Sequence, residues 1–293
     1  MNVEKIKALK AALAGFIESE RLIDDPLRTL AYGTDASFYR LVPQLVVKVR
    51  SEEEVSRLLG LAQQYRTAVT FRAAGTSLSG QAITDSVLVM LEGNAWRDYA
   101  VSDDASRIRL QPGIIGSQAN RYLAPLGRKI GPDPASIATC KIGGIAANNA
   151  SGMCCGVAQN SYQTLASMRL ILADGSVLDT GDTGSREAFA ASHADLLRGI
   201  EGLVADVRAN PALAERSAHK FKIKNTTGYS LNALVDYNDP IDVLQHLMIG
   251  SEGTLGFIAE ITYRTVVEHA YKASALVFFA DVESACEAVA LLK

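Results

Sequence analysis

The most informative segment of this 293-residue chain is Arg72-Ala73-Ala74-Gly75-Thr76-Ser77-Leu78-Ser79-Gly80-Gln81. It follows a β-rich run, and its glycines and hydroxyls suit a loop whose backbone amides cradle phosphate groups. The chain contains no Gly-x-Gly, so the Rossmann dinucleotide fingerprint is absent. Gly75 and Gly80 have the spacing of a nucleoside-triphosphatase loop, but Gln81 occupies the position of its lysine. The loop therefore suits a diphosphate that stays bound rather than one that is hydrolysed.

Glycine is concentrated in two parts of the chain. Of the 23 glycines, 11 lie between Gly75 and Gly156, and three more lie in residues 250–256. Residues 143–152 are nearly all small, which allows either close approach of backbone to a flat ligand or tight packing of a helix on a sheet. Together with the proline-rich loop 131–134, these segments favour a bound flavin dinucleotide. The alternative is a set of tight turns whose hydroxyls cap local backbone.

The composition excludes several classes of protein. With 29 Lys+Arg against 32 Asp+Glu, we expect no nucleic-acid surface. No apolar run approaches the roughly 18 residues of a membrane-spanning helix, and the charged N-terminus is not a secretory signal. The four cysteines form no Cys-x-x-Cys and the four histidines are scattered, so we expect no metal site. A reduced, cytoplasmic protein is the simplest interpretation, with peripheral membrane association of a full-length protein left open.

Hydrophobic periodicity predicts helices and strands that mix without regular β-α-β alternation, which favours an α+β fold. Ser51 and Glu54 predict a capping box at the start of the second helix. The predicted helices cover residues 3–19, 52–65, 115–126 and 185–207, with a last helix capped by Asp281. The predicted strands cover residues 44–49, 67–72, 86–91, 107–111, 164–172, 176–180, 256–266 and 272–280.

Taken in order, the motifs resemble the FAD domain of the vanillyl-alcohol oxidase / p-cresol methylhydroxylase (PCMH-type) superfamily. The matching segments are residues 72–81, 132–134, 140–144, 149–152, 224–229 and 250–258. Within the superfamily, the chain is most similar to the D-lactate, glycolate and D-2-hydroxyglutarate dehydrogenases. More narrowly, it resembles those fused to a C-terminal iron–sulfur domain. The likeness covers roughly residues 25 to 266.

The resemblance implies an α+β, two-subdomain PCMH-type FAD-binding domain. An N-terminal α/β subdomain would cover residues 1–96 and a second α+β subdomain residues 97–266, with FAD between them. Residues 267–293 would be the incomplete, truncated start of a substrate or cap domain, so we expect a fragment of a longer polypeptide. The FAD would be non-covalent, because Thr76 stands where covalent members often carry histidine.

By the same resemblance, the cofactor is held by backbone amides, hydroxyls and small residues. The expected contacts are Arg72, Ala73, Ala74, Gly75, Thr76, Ser77, Leu78, Ser79, Gln81, Pro132, Asp133, Ser136, Cys140, Gly143, Gly144, Asn149, Gly152, Glu252 and Ile258. Ala74 replaces a glycine of many relatives and is tolerable only with a negative φ. Cys140 and the pair Cys154-Cys155 are either flavin attachment points or small buried residues.

The implied reaction is oxidation of a D-2-hydroxy acid (D-lactate, glycolate or D-2-hydroxyglutarate) to the 2-oxo acid, with hydride transfer to flavin N5. The electron acceptor would be an iron–sulfur domain, a cytochrome or a quinone. Homo-oligomer formation stays open. We name no catalytic residue. Lys222 and Lys224 could project toward the substrate, but they fit a solvated basic edge better, and His219 fits a surface or core position better than a catalytic role. Two alternatives remain: a flavin transferase similar to alkylglycerone-phosphate synthase, and a flavin-binding module inactive without its cap.

Overall fold

A computed structural model describes residues 3–271 and 273–292 of the chain. Over these ranges the chain combines α-helices with two β-sheets, as the α+β prediction requires. None of the described helices is long and apolar enough to cross a membrane. The helices are α1 Val3–Leu13, α2 Pro26–Leu30, α3 Glu52–Gln64, α4 Gly116–Leu123, α5 Ile142–Asn148, α6 Ser161–Thr164, α7 Thr183–Ser192, α8 Ala194–Ala209, α9 Pro211–Lys220, α10 Ala233–Asp236, α11 Pro240–Met248 and α12 Val282–Leu292.

The first sheet positions the phosphate loop. Its strands are β1 Leu22–Ile23, β2 Leu45–Val49, β3 Val69–Arg72 and β4 Val87–Leu91, in the order β1-β2-β4-β3. Strands β2, β4 and β3 run parallel, and β1 pairs antiparallel with β2. The phosphate loop begins where β3 ends. It therefore lies at the carboxyl ends of parallel strands, where open sheets of this kind bind their ligands.

Helix α3 begins at Ser51, whose Oγ accepts a hydrogen bond from the Glu54 amide at 3.2 Å. Glu54 does not complete the predicted capping box. Its carboxylate instead accepts from the Arg50 amide at 2.7 Å and pairs with the buried guanidinium of Arg21 at 2.7 Å. The long-range partner outcompetes the local one because a buried guanidinium must be neutralised.

The second sheet is antiparallel and built around one long strand. Its strands are β5 Tyr99–Val101, β6 Arg107–Leu110, β7 Arg128–Ile130, β8 Leu165–Leu172, β9 Val177–Asp179 and β10 Gly256–Val267. The order is β5-β6-β10-β8-β9, and β7 also pairs with β10. Strand β10 pairs with β6, β7 and β8, and the glycine-rich loop 250–256 leads directly into it. This pairing places the loop in the middle of the domain.

An aromatic cluster joins the two sheets. Trp96 is 2% exposed, and its Nε1 donates to the Val49 carbonyl of β2 at 2.8 Å. Its ring lies 5.3 Å from that of Phe257 on β10, and Phe257 lies 5.1 Å from Phe71 on β3. The predicted subdomain boundary near Trp96 falls at this junction and stays a prediction.

The elements differ from the prediction in several places. The first helix ends at Leu13 rather than residue 19, because the chain turns at Ala14-Gly15 and glycine disfavours helix. The predicted helix 185–207 is two helices, since His193 has a non-helical ψ of 31°. Residues 273–280 form no strand, having no pairing partner among the described residues, and Lys272 lies outside them. Helices α9 and α11 were not predicted.

Candidate functional site

A cavity of about 1220 Å³ opens where the phosphate loop meets the second sheet. Drug-sized ligands occupy pockets of roughly 300–1,000 Å³, so this volume suits a dinucleotide. Four segments contribute most of the wall: residues 71–82, 133–154, 224–228 and 251–258. These are the segments that the sequence singled out, and the fold brings them together around one space.

The phosphate loop is shaped by two glycines and one arginine. Gly75 and Gly80 have φ of 70° and 78°, a left-handed conformation that favours glycine. A Cβ on Gly75 would lie 2.5 Å from Nη2 of Arg72, whose Nη1 donates to the Tyr32 carbonyl at 3.1 Å. Burial lowers the pKa of Arg72. Ala74 has no positive φ, as its replacement of glycine requires.

The small residues of α5 and the following loop are fixed by contacts within the protein. A Cβ on Gly143 would lie 2.8 Å from Cβ of Pro112, and one on Gly144 would lie 3.4 Å from Cβ of Ala73. A Cβ on Gly152 would overlap the carbonyl oxygen of Asp133. All three glycines also line the cavity. Close packing, one of the two interpretations of this segment, therefore accounts for them even before a ligand is considered.

Seventeen of the expected contacts line the cavity, and two lie behind its wall. Those in the wall are Arg72, Ala73, Ala74, Gly75, Thr76, Ser77, Leu78, Ser79, Gln81, Asp133, Ser136, Cys140, Gly143, Gly144, Gly152, Glu252 and Ile258. Pro132 is buried outside the wall. Asn149 ends α5 with a φ of 53°, and its Oδ1 accepts from the Tyr162 amide at 3.3 Å. These two residues support the wall rather than form it.

Glu252 and Ser251 lie in the loop that precedes β10 and place polar groups in the cavity wall. The Glu252 carboxylate accepts from Asn148 Nδ2 at 2.5 Å, and burial raises its pKa. Ser251 is 2% exposed and lines the cavity, yet its Oγ has no hydrogen-bond partner among the described residues. A buried hydroxyl without a partner is costly, so Ser251 is suited to a polar group of a bound ligand.

We expect Glu252→Gln to stabilise the FAD-free protein at neutral pH and to leave it nearly unchanged in acid. The folded pKa lies above the unfolded value, so the buried carboxylate loses stability as pH rises through that window. The amide carries no charge and escapes this loss. Thermal denaturation of both proteins across pH measures the difference, with exposed Glu53→Gln as the control. A benefit that is larger in acid contradicts the assignment.

The cysteines divide into two kinds. Cys140 and Cys154 line the cavity, whereas Cys155 is buried behind it and its Sγ accepts from the Gly152 amide at 3.2 Å. Burial raises the pKa of Cys140, which keeps it as a weakly nucleophilic thiol. No group of three or more His, Cys, Asp or Glu within the described ranges is arranged to hold a metal ion.

Sequence reasoning gave no role to one cation of the wall. Lys141 lines the cavity; it lies in the matched segment 140–144, but only its neighbours Cys140, Gly143 and Gly144 were expected to contact the cofactor. Lys224 also lines it and donates to the Ser151 carbonyl at 2.5 Å, which selects it from the pair that the sequence left open. Lys222 and His219 are exposed and lie outside the wall. Lys141 and Lys224 both lie in matched motifs, 140–144 and 224–229, and of the two only Lys224 was singled out as a candidate for substrate contact.

Residues 43–181 match the family described as "FAD binding domain". This part of the chain is similar to FAD-binding domains. The cavity fits the cofactor by its volume, by its glycine-shaped phosphate loop and by the unpartnered Ser251 hydroxyl. FAD, expected from the sequence, is therefore the cofactor.

Curated relatives extend the match beyond this domain. The chain is 29% identical over 238 residues to D-2-hydroxyglutarate dehydrogenase of Escherichia coli (strain K12), covering 79% of this chain and 23% of that protein. It is 24% identical to glycolate oxidase subunit GlcD of Bacillus subtilis (strain 168), covering 97% of this chain and 50% of that protein. The chain thus spans between about a quarter and half the length of these relatives.

Solved structures show the fold. An alkyldihydroxyacetonephosphate synthase is similar with a TM-score of 0.59 at 19% identity, covering 91% of this chain and 44% of that one. A chitooligosaccharide oxidase is similar with a TM-score of 0.56 at 12% identity, covering 90% of this chain and 43% of that one. The PCMH-type FAD-binding fold implied by the sequence is confirmed.

Proposed function

We propose that this chain is the cofactor-binding part of an FAD-dependent oxidoreductase that oxidises a D-2-hydroxy acid to the 2-oxo acid. The observation that carries the proposal is the single cavity that gathers the motifs of residues 72–81, 133–152 and 251–258. The names of the relatives support oxidation of a hydroxy acid. They are D-2-hydroxyglutarate dehydrogenase, glycolate oxidase subunit GlcD and probable D-lactate dehydrogenase.

Different residues of the wall would hold different parts of the cofactor. Amides and hydroxyls of Thr76, Ser77 and Ser79 would bind the phosphates, with Arg72 holding the loop in shape beneath Gly75. FAD supplies the two-electron acceptor when bound. Binding is non-covalent in this proposal, because the wall has threonine at position 76 and the Cys140 thiol is a poor nucleophile.

Lys224 is the described side chain best suited to an anionic substrate. Its side chain lines the cavity, and its ammonium is anchored to the Ser151 carbonyl. A carboxylate approaching this rim would gain a charge-assisted hydrogen bond. We assign no catalytic base to the described residues.

The remaining assignments of the sequence belong to the same proposal. The two FAD subdomains would span residues 1–96 and 97–266, and electrons would pass to an iron–sulfur, cytochrome or quinone acceptor. The transferase alternative shares the fold, and the match to alkyldihydroxyacetonephosphate synthase at 19% identity concerns that fold alone. A transferase makes no net redox change, which gives a direct test.

Anaerobic mixing with candidate substrates tests the reaction. The FAD-loaded protein is mixed with D-lactate, glycolate or D-2-hydroxyglutarate, and the visible flavin absorption is followed. We expect at least one of them to bleach the flavin, and the L-enantiomers of the two chiral acids to leave it coloured. If none of the three bleaches FAD that dithionite still reduces, the proposed oxidation is wrong.

A further inference from the structure

Lys141 is a cation that the protein leaves without a partner. It is half-buried in the cavity wall, and within residues 3–271 and 273–292 its ammonium makes no hydrogen bond or ion pair. The charged group that acts on it is Arg97, which is also positive, and together with burial this lowers the pKa of Lys141. Burying an unpaired charge beside a like charge is costly, so the site is incomplete without an anion.

The other cations of the wall are already engaged. Among the described residues, the wall holds three cationic side chains, Arg72, Lys141 and Lys224, and two acidic ones, Asp133 and Glu252. Arg72 donates to the Tyr32 carbonyl and Lys224 to the Ser151 carbonyl. Among the described residues, Lys141 is therefore the cation of the wall that makes no hydrogen bond within the protein, so all three of its donors are available to a ligand.

The position of Lys141 selects the part of the ligand that it meets. Lys141 immediately precedes α5, and the first turn of α5 lies against the phosphate loop, with a Cβ on Gly144 only 3.4 Å from that of Ala73. The amides at this end of α5 are largely committed, since those of Ile142 and Gly143 donate to the carbonyls of Ile114 and Pro112. The phosphate loop has the arginine Arg72 but glutamine at the position where a triphosphatase loop has lysine.

We propose that the ammonium of Lys141 supplies the counter-charge for the diphosphate of FAD from the α5 side of the cavity. The loop 72–81 offers amides and hydroxyls, which orient phosphates but carry no full charge, and one cation, Arg72, whose guanidinium lies beneath Gly75 and donates to the Tyr32 carbonyl. Lys141 adds a second full charge from the α5 side of the cavity. The inference deepens the cofactor site on which the proposed function also rests, and it is independent of which hydroxy acid is oxidised.

Binding of three ligands to FAD-free protein tests the inference. ADP and riboflavin each contain a different part of FAD. ADP carries a diphosphate without flavin, and riboflavin carries flavin without phosphate. We expect Lys141→Gln to weaken FAD and ADP about tenfold, as for loss of one charged hydrogen bond, and to leave riboflavin unchanged. Lys141→Arg keeps the charge and is expected to retain most of the affinity. Exposed Lys220→Gln, which removes the same charge elsewhere, is the matched control.

Two further readouts guard against misfolding. Without ligand, Lys141→Gln is expected to melt no lower than wild type, because an unpaired half-buried charge has been removed. ADP affinity of the wild type is expected to fall with added salt, and more steeply than that of Lys141→Gln. Unchanged ADP affinity in Lys141→Gln, a loss for riboflavin as large as for FAD, or salt-independent ADP binding by wild type would each overturn the inference. Because the readout is binding, such a failure leaves the proposed oxidation standing.

Discussion

Replacing Gly152 by alanine is expected to abolish FAD binding and to cost about 3 kcal/mol of folding stability. The new Cβ would overlap the carbonyl oxygen of Asp133, a backbone atom that cannot rotate away. The loop 131–134 or the segment after α5 must therefore shift. Both carry residues of the cavity wall, so the geometry offered to the cofactor is lost together with the stability.

Gly60→Ala is the matched control for this substitution. Gly60 lies within α3, and nothing lies within 4 Å of its added Cβ. Alanine there is expected to stabilise the protein by about 0.5–1 kcal/mol. Thermal denaturation and FAD titration of both variants make the comparison. A Gly152→Ala protein with wild-type melting and wild-type FAD affinity contradicts the close contact on which this wall depends.

Replacing Trp96 by alanine is expected to cost about 3–5 kcal/mol, the usual loss for truncating a buried aromatic side chain. The ring is 2% exposed and packs against Phe257, and its Nε1 donates to Val49. The substitution removes one of the two aromatic contacts that join the sheets, that of Trp96 with Phe257, and leaves the Val49 carbonyl without this donor. Phe257 and Phe71 both line the cavity, so FAD affinity is expected to fall as well.

Trp96→Phe separates the two contributions of this side chain. Phenylalanine keeps most of the apolar contact with Phe257 but loses the hydrogen bond to Val49. We expect this lost hydrogen bond to lower the free energy of unfolding by about 1–2 kcal/mol, in addition to the effect of the smaller ring. Denaturant unfolding at constant m gives both values. A Trp96→Ala protein that loses less than about 1 kcal/mol would show that the sheets are held together elsewhere.

Local signals predicted much of this molecule. The phosphate loop was found because left-handed positions such as Gly75 and Gly80 call for glycine whatever surrounds them. Helix α3 was placed by the Ser51 cap and by buried Val55, Leu58, Leu59 and Ala62, which recur on one helical face. The hairpin of β8 and β9 followed from its turn at residues 173–175.

The features that the sequence did not predict depend on contacts between residues far apart in the chain. The carboxylate of Glu54 belongs to Arg21, 33 residues away, and no local pattern announces such a pair. Gly152 is required by Asp133, which only the folded chain brings alongside. Lys141 stands out because its ammonium has no partner among the described residues. The sequence alone does not show this. Helix α9 buries no residue completely.

Titration of the FAD-free protein with FAD, followed by flavin fluorescence and by calorimetry, tests whether the cavity binds the cofactor. The cavity described above predicts saturable binding of one FAD per chain, with a melting temperature that rises as FAD is added. It further predicts that Gly152→Ala loses this binding and that Gly60→Ala keeps it. A wild-type protein that is folded by circular dichroism, yet binds no FAD and gains no thermal stability from it, would contradict the account.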